Sequence, residues 1–179
     1  MDIVKAFTDS WKIYMANFVT ILLATLAVMI IGVVTLGLLY VPLLVGLQML
    51  FIKAKRGEAV LLNDIFVPVK RFFAIFFGSV WIALLVMIGL ILFLIPGLCW
   101  LSWWMFALLY IFDKNLGIGA AMRASKELVR KNNLWAHLFL LILAGAVAHL
   151  GFYVFGIGVL LTMPLGMGAL ACAYADEAK

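Results

Sequence analysis

The sequence predicts an all-α membrane protein: six transmembrane helices arranged as three hairpins, each preceded by an amphipathic helix on the cytoplasmic interface, with both termini cytoplasmic. Three observations predict it. Of 179 residues, 68% are hydrophobic and 12% charged, against roughly 45–50% and about 25% in soluble chains, so there is too little polar surface to face water all round. The charges leave three uninterrupted stretches, Ile13 to Ile52, Phe72 to Phe112 and Asn132 to Ala175, of 40, 41 and 44 residues. Each is about twice the ~20 residues that cross a bilayer core as a helix. Helix breakers fall near the middle of every stretch: Gly37 and Pro42, Pro96 and Gly97, then Gly156, Gly158 and Pro164.

Taken in order, the spans are expected at 13–36, 38–53, 72–95, 97–112, 133–155 and 158–175. All thirteen Lys and Arg residues lie outside the charge-free stretches and none lies in the breaker turns. Every charged connection therefore shares one side, which the positive-inside rule makes the cytoplasm. The apolar region near the N-terminus is too long for a cleavable leader. The second limb of each hairpin, at about 16–18 residues, is shorter than the first, a mismatch that calls for tilt, snorkelling or local thinning.

Each charged segment reads as an amphipathic helix. In the first, Ile3, Phe7, Trp11, Tyr14 and Phe18 form the apolar stripe, opposite Asp2, Lys5, Asp9 and Lys12. In the second, Leu62, Ile65, Phe66, Val69 and Phe73 form it, with Asn63 or Asp64 as a cap and Pro68 in the first turn. In the third, Ile118, Met122, Ser125, Leu128 and Val129 oppose Arg123, Lys126, Glu127 and Arg130, with Glu127 and Lys131 placed to pair at i,i+4. The chain is thus a single transmembrane domain, 1–179, that divides into three units of like plan, 1–56, 57–113 and 114–179. Whether these are a true repeat or a recurrent topology stays open.

Several classes of chemistry lack their residues. Cys99 and Cys172 are too few for a disulfide framework, have no C-x-x-C spacing, and are expected near opposite membrane faces and so unbonded. The basic residues do not interleave with aromatics as a nucleic-acid surface requires. No hydrolase, nucleotide-binding or zinc motif occurs, and apart from Lys53 at the very end of the second span the spans hold no Asp, Glu, Lys or Arg. The expectation is a protein without catalytic, cofactor or metal residues. His137 is placed at the cytoplasmic headgroups beside Trp135, and His149 in an interhelical hydrogen bond, with a proton relay or a ligand contact as the alternative. A Ser102–His149 dyad is the one conceivable nucleophile and base. Small residues predict that Ala144, Ala148 and Gly151 of the fifth span pack on Gly168, Cys172 and Ala175, with Ala169 and Ala173, of the sixth. Trp100 fits an outer interfacial belt; Trp103 and Trp104, nearer mid-span with Trp81 on the neighbouring helix, are read as packing, with an aromatic-lined cavity as the other reading.

The run Gly89-Leu-Ile-Leu-Phe-Leu-Ile-Pro96-Gly97, with Lys55-Arg56-Gly57-Glu58 before it, Ala121-Met-Arg-Ala-Ser125-Lys-Glu-Leu-Val after it and Gly156-Ile-Gly158 through Thr162-Met-Pro164 at the end, carries a resemblance over most of the chain. It resembles a group of bacterial inner-membrane proteins that includes the YciC-like proteins and the membrane domain fused to some glycerophosphodiester phosphodiesterases. That resemblance implies a six-span fold in the bacterial plasma membrane and no reaction, the phosphodiesterase domain being absent.

The functional expectation is a non-enzymatic inner-membrane component that contacts phospholipids, anionic ones in particular. The residues expected at headgroups are Lys53, Lys55, Arg56, Lys70, Arg71, Arg123, Lys126, Arg130 and Lys131. The first alternative is an oligomeric channel or facilitator subunit, in which Gln48, Trp103, Trp104, His149 and Thr162 would line a cavity. The second is an assembly partner of a larger membrane complex.

Overall fold

The computed structural model describes residues 2–151 and 158–178. The chain is helical over about 85% of its length, and the described residues form no strand. In order the helices are α1 Ile3–Ala16, α2 Phe18–Val34, α3 Tyr40–Lys55, a tight 3-10 segment Leu62–Arg71 running into α4 Phe72–Leu92, α5 Leu94–Trp103, α6 Ala107–Asp113, α7 Ile118–Lys131, α8 Leu134–Leu150 and α9 Val159–Glu177. Among the described residues, two helices are long and apolar enough to cross a membrane, Leu62–Leu92 and Val159–Glu177. The count rises to four if each of two bent pairs is one span: α1 with α2, bent by 99°, and α7 with α8, bent by 107°.

Helices α3 and α9 form the centre. On α3, Leu43, Leu47, Leu50, Phe51 and Ile52 are fully buried, as are Ala169, Ala171, Cys172 and Tyr174 on α9. The remaining helices surround this pair, with α2 packed on α3, α4 on α5, and both α1 and α8 on α9. In hydrocarbon the apolar side chains gain nothing by leaving lipid, so close backbone approach decides which helices associate. Gly46 shows it on α3, where an added Cβ would strike the backbone of Ile65 in the 3-10 segment. On α9 the same role falls to Gly166, where a Cβ would strike the Ala144 carbonyl and lie 3.0 Å from the Ala148 Cβ.

Gly166 revises one pairing. Ala144 and Ala148 do face α9, but they meet Gly166, while Gly168 turns the other way onto Phe51 of α3 and Ser10 of α1. A single row of small residues was expected; α9 carries two, because it is central and serves neighbours on both sides.

The turns follow backbone chemistry. Between α2 and α3, Leu36 and Gly37 have φ of 51° and 83°, so the first breaker acts where glycine has no Cβ to clash. Pro42 sits in the first turn of α3, where its missing N–H is no loss. The corner from α7 to α8 uses Asn133 at φ 81°, and its side chain accepts from the Trp135 N–H at 3.1 Å. The breaker Gly156 lies outside the described residues.

The third amphipathic helix, α7, buries Ser125, Leu128 and Val129 of its expected face, whereas the first two faces are turned from the expected ones. In α1 the buried residues are Ala6, Ser10 and Tyr14, while Trp11 is 51% exposed. The inward face follows the contact with α9, where the Ser10 hydroxyl donates to the Leu165 carbonyl at 3.0 Å. In the 3-10 segment Ile65 and Pro68 turn inward, Pro68 lying inside the segment rather than in its first turn, while Leu62 and Phe66, and Phe73 at the start of α4, are exposed. Three residues per turn, rather than 3.6, sets that line.

One break was not foreseen. The fourth apolar segment is interrupted between Trp103 and Ala107, and Ser125 of α7 bridges the gap. Its hydroxyl donates to the Trp103 carbonyl at 2.7 Å and accepts from the Phe106 N–H at 3.3 Å. Broken backbone in an apolar setting persists only where such groups are satisfied.

Candidate functional site: a charged layer at one end of the bundle

The charged side chains that flank the apolar stretches converge into one layer, tying together the ends of α1, α3, α6, α8 and α9. At its centre Arg56, just past α3, donates two bonds to Asp113 at the end of α6, at 2.7 and 2.8 Å. The Tyr174 hydroxyl on α9 donates to the same carboxylate at 3.0 Å. The Asp113 side chain is 5% exposed and that of Arg56 38%. Burial alone would raise the Asp113 carboxyl; the Arg56 guanidinium and the Tyr174 hydroxyl outweigh it and hold the group below its ordinary value. Arg56 is raised in turn, chiefly by its bond to Asp113.

Beside this pair, Lys55 bridges Asp9 of α1 at 3.1 Å and Asp176 of α9 at 2.6 Å, and it donates to the Cys172 carbonyl at 3.1 Å. Lys5 reaches Asp176 at 3.5 Å. Lys53 pairs with Asp64 at 2.8 Å, and Asp64 also accepts from the Leu61 N–H at 3.2 Å, so it caps the 3-10 segment by reaching back.

His137 is not at the headgroups. It is fully buried on α8, its Nδ1 2.9 Å from the Asn133 carbonyl and its Nε2 2.7 Å from Glu177. Phe106 packs edge-on to its ring at 5.8 Å. The i−4 carbonyl at a helix start and a carboxylate from the end of α9 hold it inside.

The nine nominated headgroup cations therefore divide. Lys53, Lys55 and Arg56 are committed to internal carboxylates. Arg71 bonds the Ile111 carbonyl, and Lys126 lies 4.4 Å over the Trp103 ring. Lys70, Arg123, Arg130 and Lys131 are exposed, and among the described residues none has an ion-pair partner. The expected Glu127–Lys131 pair is absent from those contacts; both residues line a cleft of about 570 Å³ with Asp2, Lys5, Tyr110 and Asp176.

The five residues expected to line a cavity each have a neighbour of their own. Gln48 Nε2 lies 3.7 Å from the Met167 sulfur. Thr162 donates to the Ala148 carbonyl at 3.1 Å and accepts from the Gly151 N–H at 3.2 Å, joining α9 to α8. His149 is exposed and bonds within its own helix to the Gly145 carbonyl at 2.9 Å, not across helices. Trp104 packs on Trp100 at 5.6 Å, while Trp103 faces Lys126. Ser102 lies 3.5 Å from the Leu134 carbonyl at the start of α8, about 22 Å along that helix from His149, which separates the conceivable dyad. A separate, almost wholly apolar groove of about 390 Å³ lies between α4 and α5–α6, lined by Ser79, Ala83, Val86, Leu90, Leu101 and Leu108.

The acids that organise the layer, Asp9, Asp64, Asp113 and Asp176, were missed as a group. Their signal was the shared level: each sits at the edge of a charge-free stretch or within an adjoining charged segment. No known protein family, characterised protein or solved structure matches the chain.

Proposed function

We propose that the protein is a six-span, non-enzymatic component of a bacterial inner membrane, with both termini cytoplasmic, that holds anionic phospholipids at its cytoplasmic face. The six spans are the apolar lengths of α2, α3, α4, α5 with α6 as far as Phe112, α8 and α9, with the charged layer beyond their ends; α1 and α7 lie along the interface. The charge placement supports this, because every charged connection belongs to one end of the bundle and the turn at Leu36–Gly37 has none. The resemblance to the YciC-like proteins is part of the same proposal and supplies the bacterial plasma membrane.

The observation that carries the lipid reading is the division of the cations. Carboxylates within the layer neutralise Lys53, Lys55 and Arg56, while Lys70, Arg123, Arg130 and Lys131 face outward without a counter-ion among the described residues. Exposed cations at a membrane interface attract acidic headgroups by about 1 kcal/mol each. The channel alternative has less support, because Gln48, Thr162 and His149 are held by separate neighbours rather than turned to a common space. The assembly-partner alternative would use the same exposed cations toward an acidic protein.

Native mass spectrometry of the full chain, released from its own membrane in mild detergent, tests the reading. Retention of an anionic phospholipid class is the expected result. A discrete higher oligomer with no selective lipid would overturn it in favour of a pore or scaffold.

A further inference from the structure

We infer that α7 is a preformed docking surface for the phosphates of anionic phospholipids, held in place by the protein rather than by sinking into the bilayer. This rests on the lipid-contacting reading above and names the segment and its mode of contact. The helix carries Arg123, Lys126, Arg130 and Lys131 against a single carboxylate, Glu127, for a net charge of +3. Lys114 just before it is exposed as well. Carboxylates cancel Lys53, Lys55 and Arg56, and of the exposed expected headgroup cations with no ion-pair partner among the described residues, Arg123, Arg130 and Lys131 share α7 while Lys70 stands apart, so the uncancelled positive field is densest here.

The other face of α7 is already used. Ala121, Ser125, Leu128 and Val129 are buried, Ser125 is bonded to both sides of the α5–α6 break, and Lys126 is laid over Trp103. A free amphipathic helix binds membranes by inserting its apolar face. Here that face is occupied by protein, which leaves charge as the means of contact.

The placement fits headgroups. With α8 running across the membrane, the 107° bend lays α7 nearly in the membrane plane. The corner between them carries Trp135, exposed on the first turn of α8, a residue type that settles at headgroup level. Arg123 and Arg130 are two turns apart on one face, about 10 Å, so each addresses a separate phosphate. The Arg guanidinium fork suits phosphate oxygens in particular.

The test uses the full chain in phosphatidylcholine vesicles with trace spin-labelled phosphatidylglycerol or phosphatidylcholine as probe, reading the motionally restricted fraction of each. The expected result is a preference for phosphatidylglycerol that falls as salt is raised. In Arg123→Gln/Arg130→Gln/Lys131→Gln the phosphatidylglycerol site should weaken about a hundredfold, from three charges at one surface. Arg123→Lys/Arg130→Lys/Lys131→Arg should keep the preference, which separates lost charge from lost fold. If the unaltered protein shows no preference, the lipid reading itself fails. If the triple Gln variant keeps it and Lys12→Gln/Lys70→Gln loses it, the lipid reading stands and the assignment to α7 is overturned. A preference that vanishes in large, flat vesicles and persists only in small ones would show insertion, and would also overturn it.

Discussion

Arg56 and Asp113 are unequal partners, and that inequality predicts which loss costs more. Arg56→Gln strands the Asp113 carboxylate where its side chain is 5% exposed, with only Tyr174 still donating to it. Removing the partner of a buried charge costs about 3–5 kcal/mol. The carboxyl has one escape, to bind a proton, and from an ordinary value near 4 that costs about 4 kcal/mol at pH 7. The expected loss is therefore about 3–4 kcal/mol. Asp113→Asn leaves Arg56 behind instead, and at 38% exposure the guanidinium turns to water. Solvent screening removes most of the penalty on that side, so the loss should be about 1–2 kcal/mol, mainly the weakened acceptor for Tyr174.

Reversible unfolding in mixed detergent micelles, followed by far-ultraviolet circular dichroism, gives the ordering, with Glu58→Gln as an exposed control. pH gives its cause. The Asp113 carboxyl lies below its ordinary value in the folded protein, so its stabilisation is complete above about pH 4 and is lost as pH falls through the lower folded value. In Arg56→Gln burial acts on the carboxyl without the guanidinium, so the gap to wild type should narrow from pH 7 toward pH 4. A reversed order, or a gap that does not change with pH, would refute the assignment of the loss to a stranded Asp113.

Three further changes have expected outcomes in the same assay. Gly166→Leu drives a side chain into the Ala144 carbonyl and should destabilise by about 3 kcal/mol, the upper end of overpacking, because backbone cannot step aside; a neutral result would mean that α8 and α9 do not pack there. Ser125→Ala unpairs the Trp103 carbonyl and the Phe106 N–H, for about 1–3 kcal/mol, and amide exchange at Phe106 should quicken while that at Leu47 does not. Leu36→Gly relieves a left-handed leucine at φ 51° that is 96% exposed, and should stabilise by about 1 kcal/mol; a loss of stability would show that the leucine makes a contact of its own.

What could be read from sequence was local. The charge-free stretches, Gly37 as a breaker and the corner before Leu134 depend on residues within a few positions of where they act, and helix boundaries follow them closely. The break at Trp104–Phe106 contains neither glycine nor proline, and it is held by Ser125, 22 residues from its Trp103 acceptor. No periodicity reports such a bond. The same applies to Lys55, whose partner Asp176 is 121 residues away: charge counting places both at one membrane face and says nothing of whether they meet. His137 was misplaced for a related reason, because Trp135 two residues earlier marks the interface while Glu177 of α9, 40 residues on, draws the imidazole inside. Of the expected headgroup cations on α7, Arg123, Arg130 and Lys131 are exposed, while Lys126 is laid over Trp103, a contact 23 residues away that charge counting does not report.

Sidedness is the property on which the rest depends. In a Cys99→Ser/Cys172→Ala background, single cysteines at Leu36, Glu58 and Asn115, all exposed, would be labelled with a membrane-impermeant thiol reagent in intact spheroplasts and in inverted vesicles. Six spans with cytoplasmic termini predict that Leu36→Cys labels from outside only, and that Glu58→Cys and Asn115→Cys label in inverted vesicles only. Labelling of Leu36→Cys and Glu58→Cys from the same side would mean that α3 does not cross the membrane, and would contradict the six-span topology.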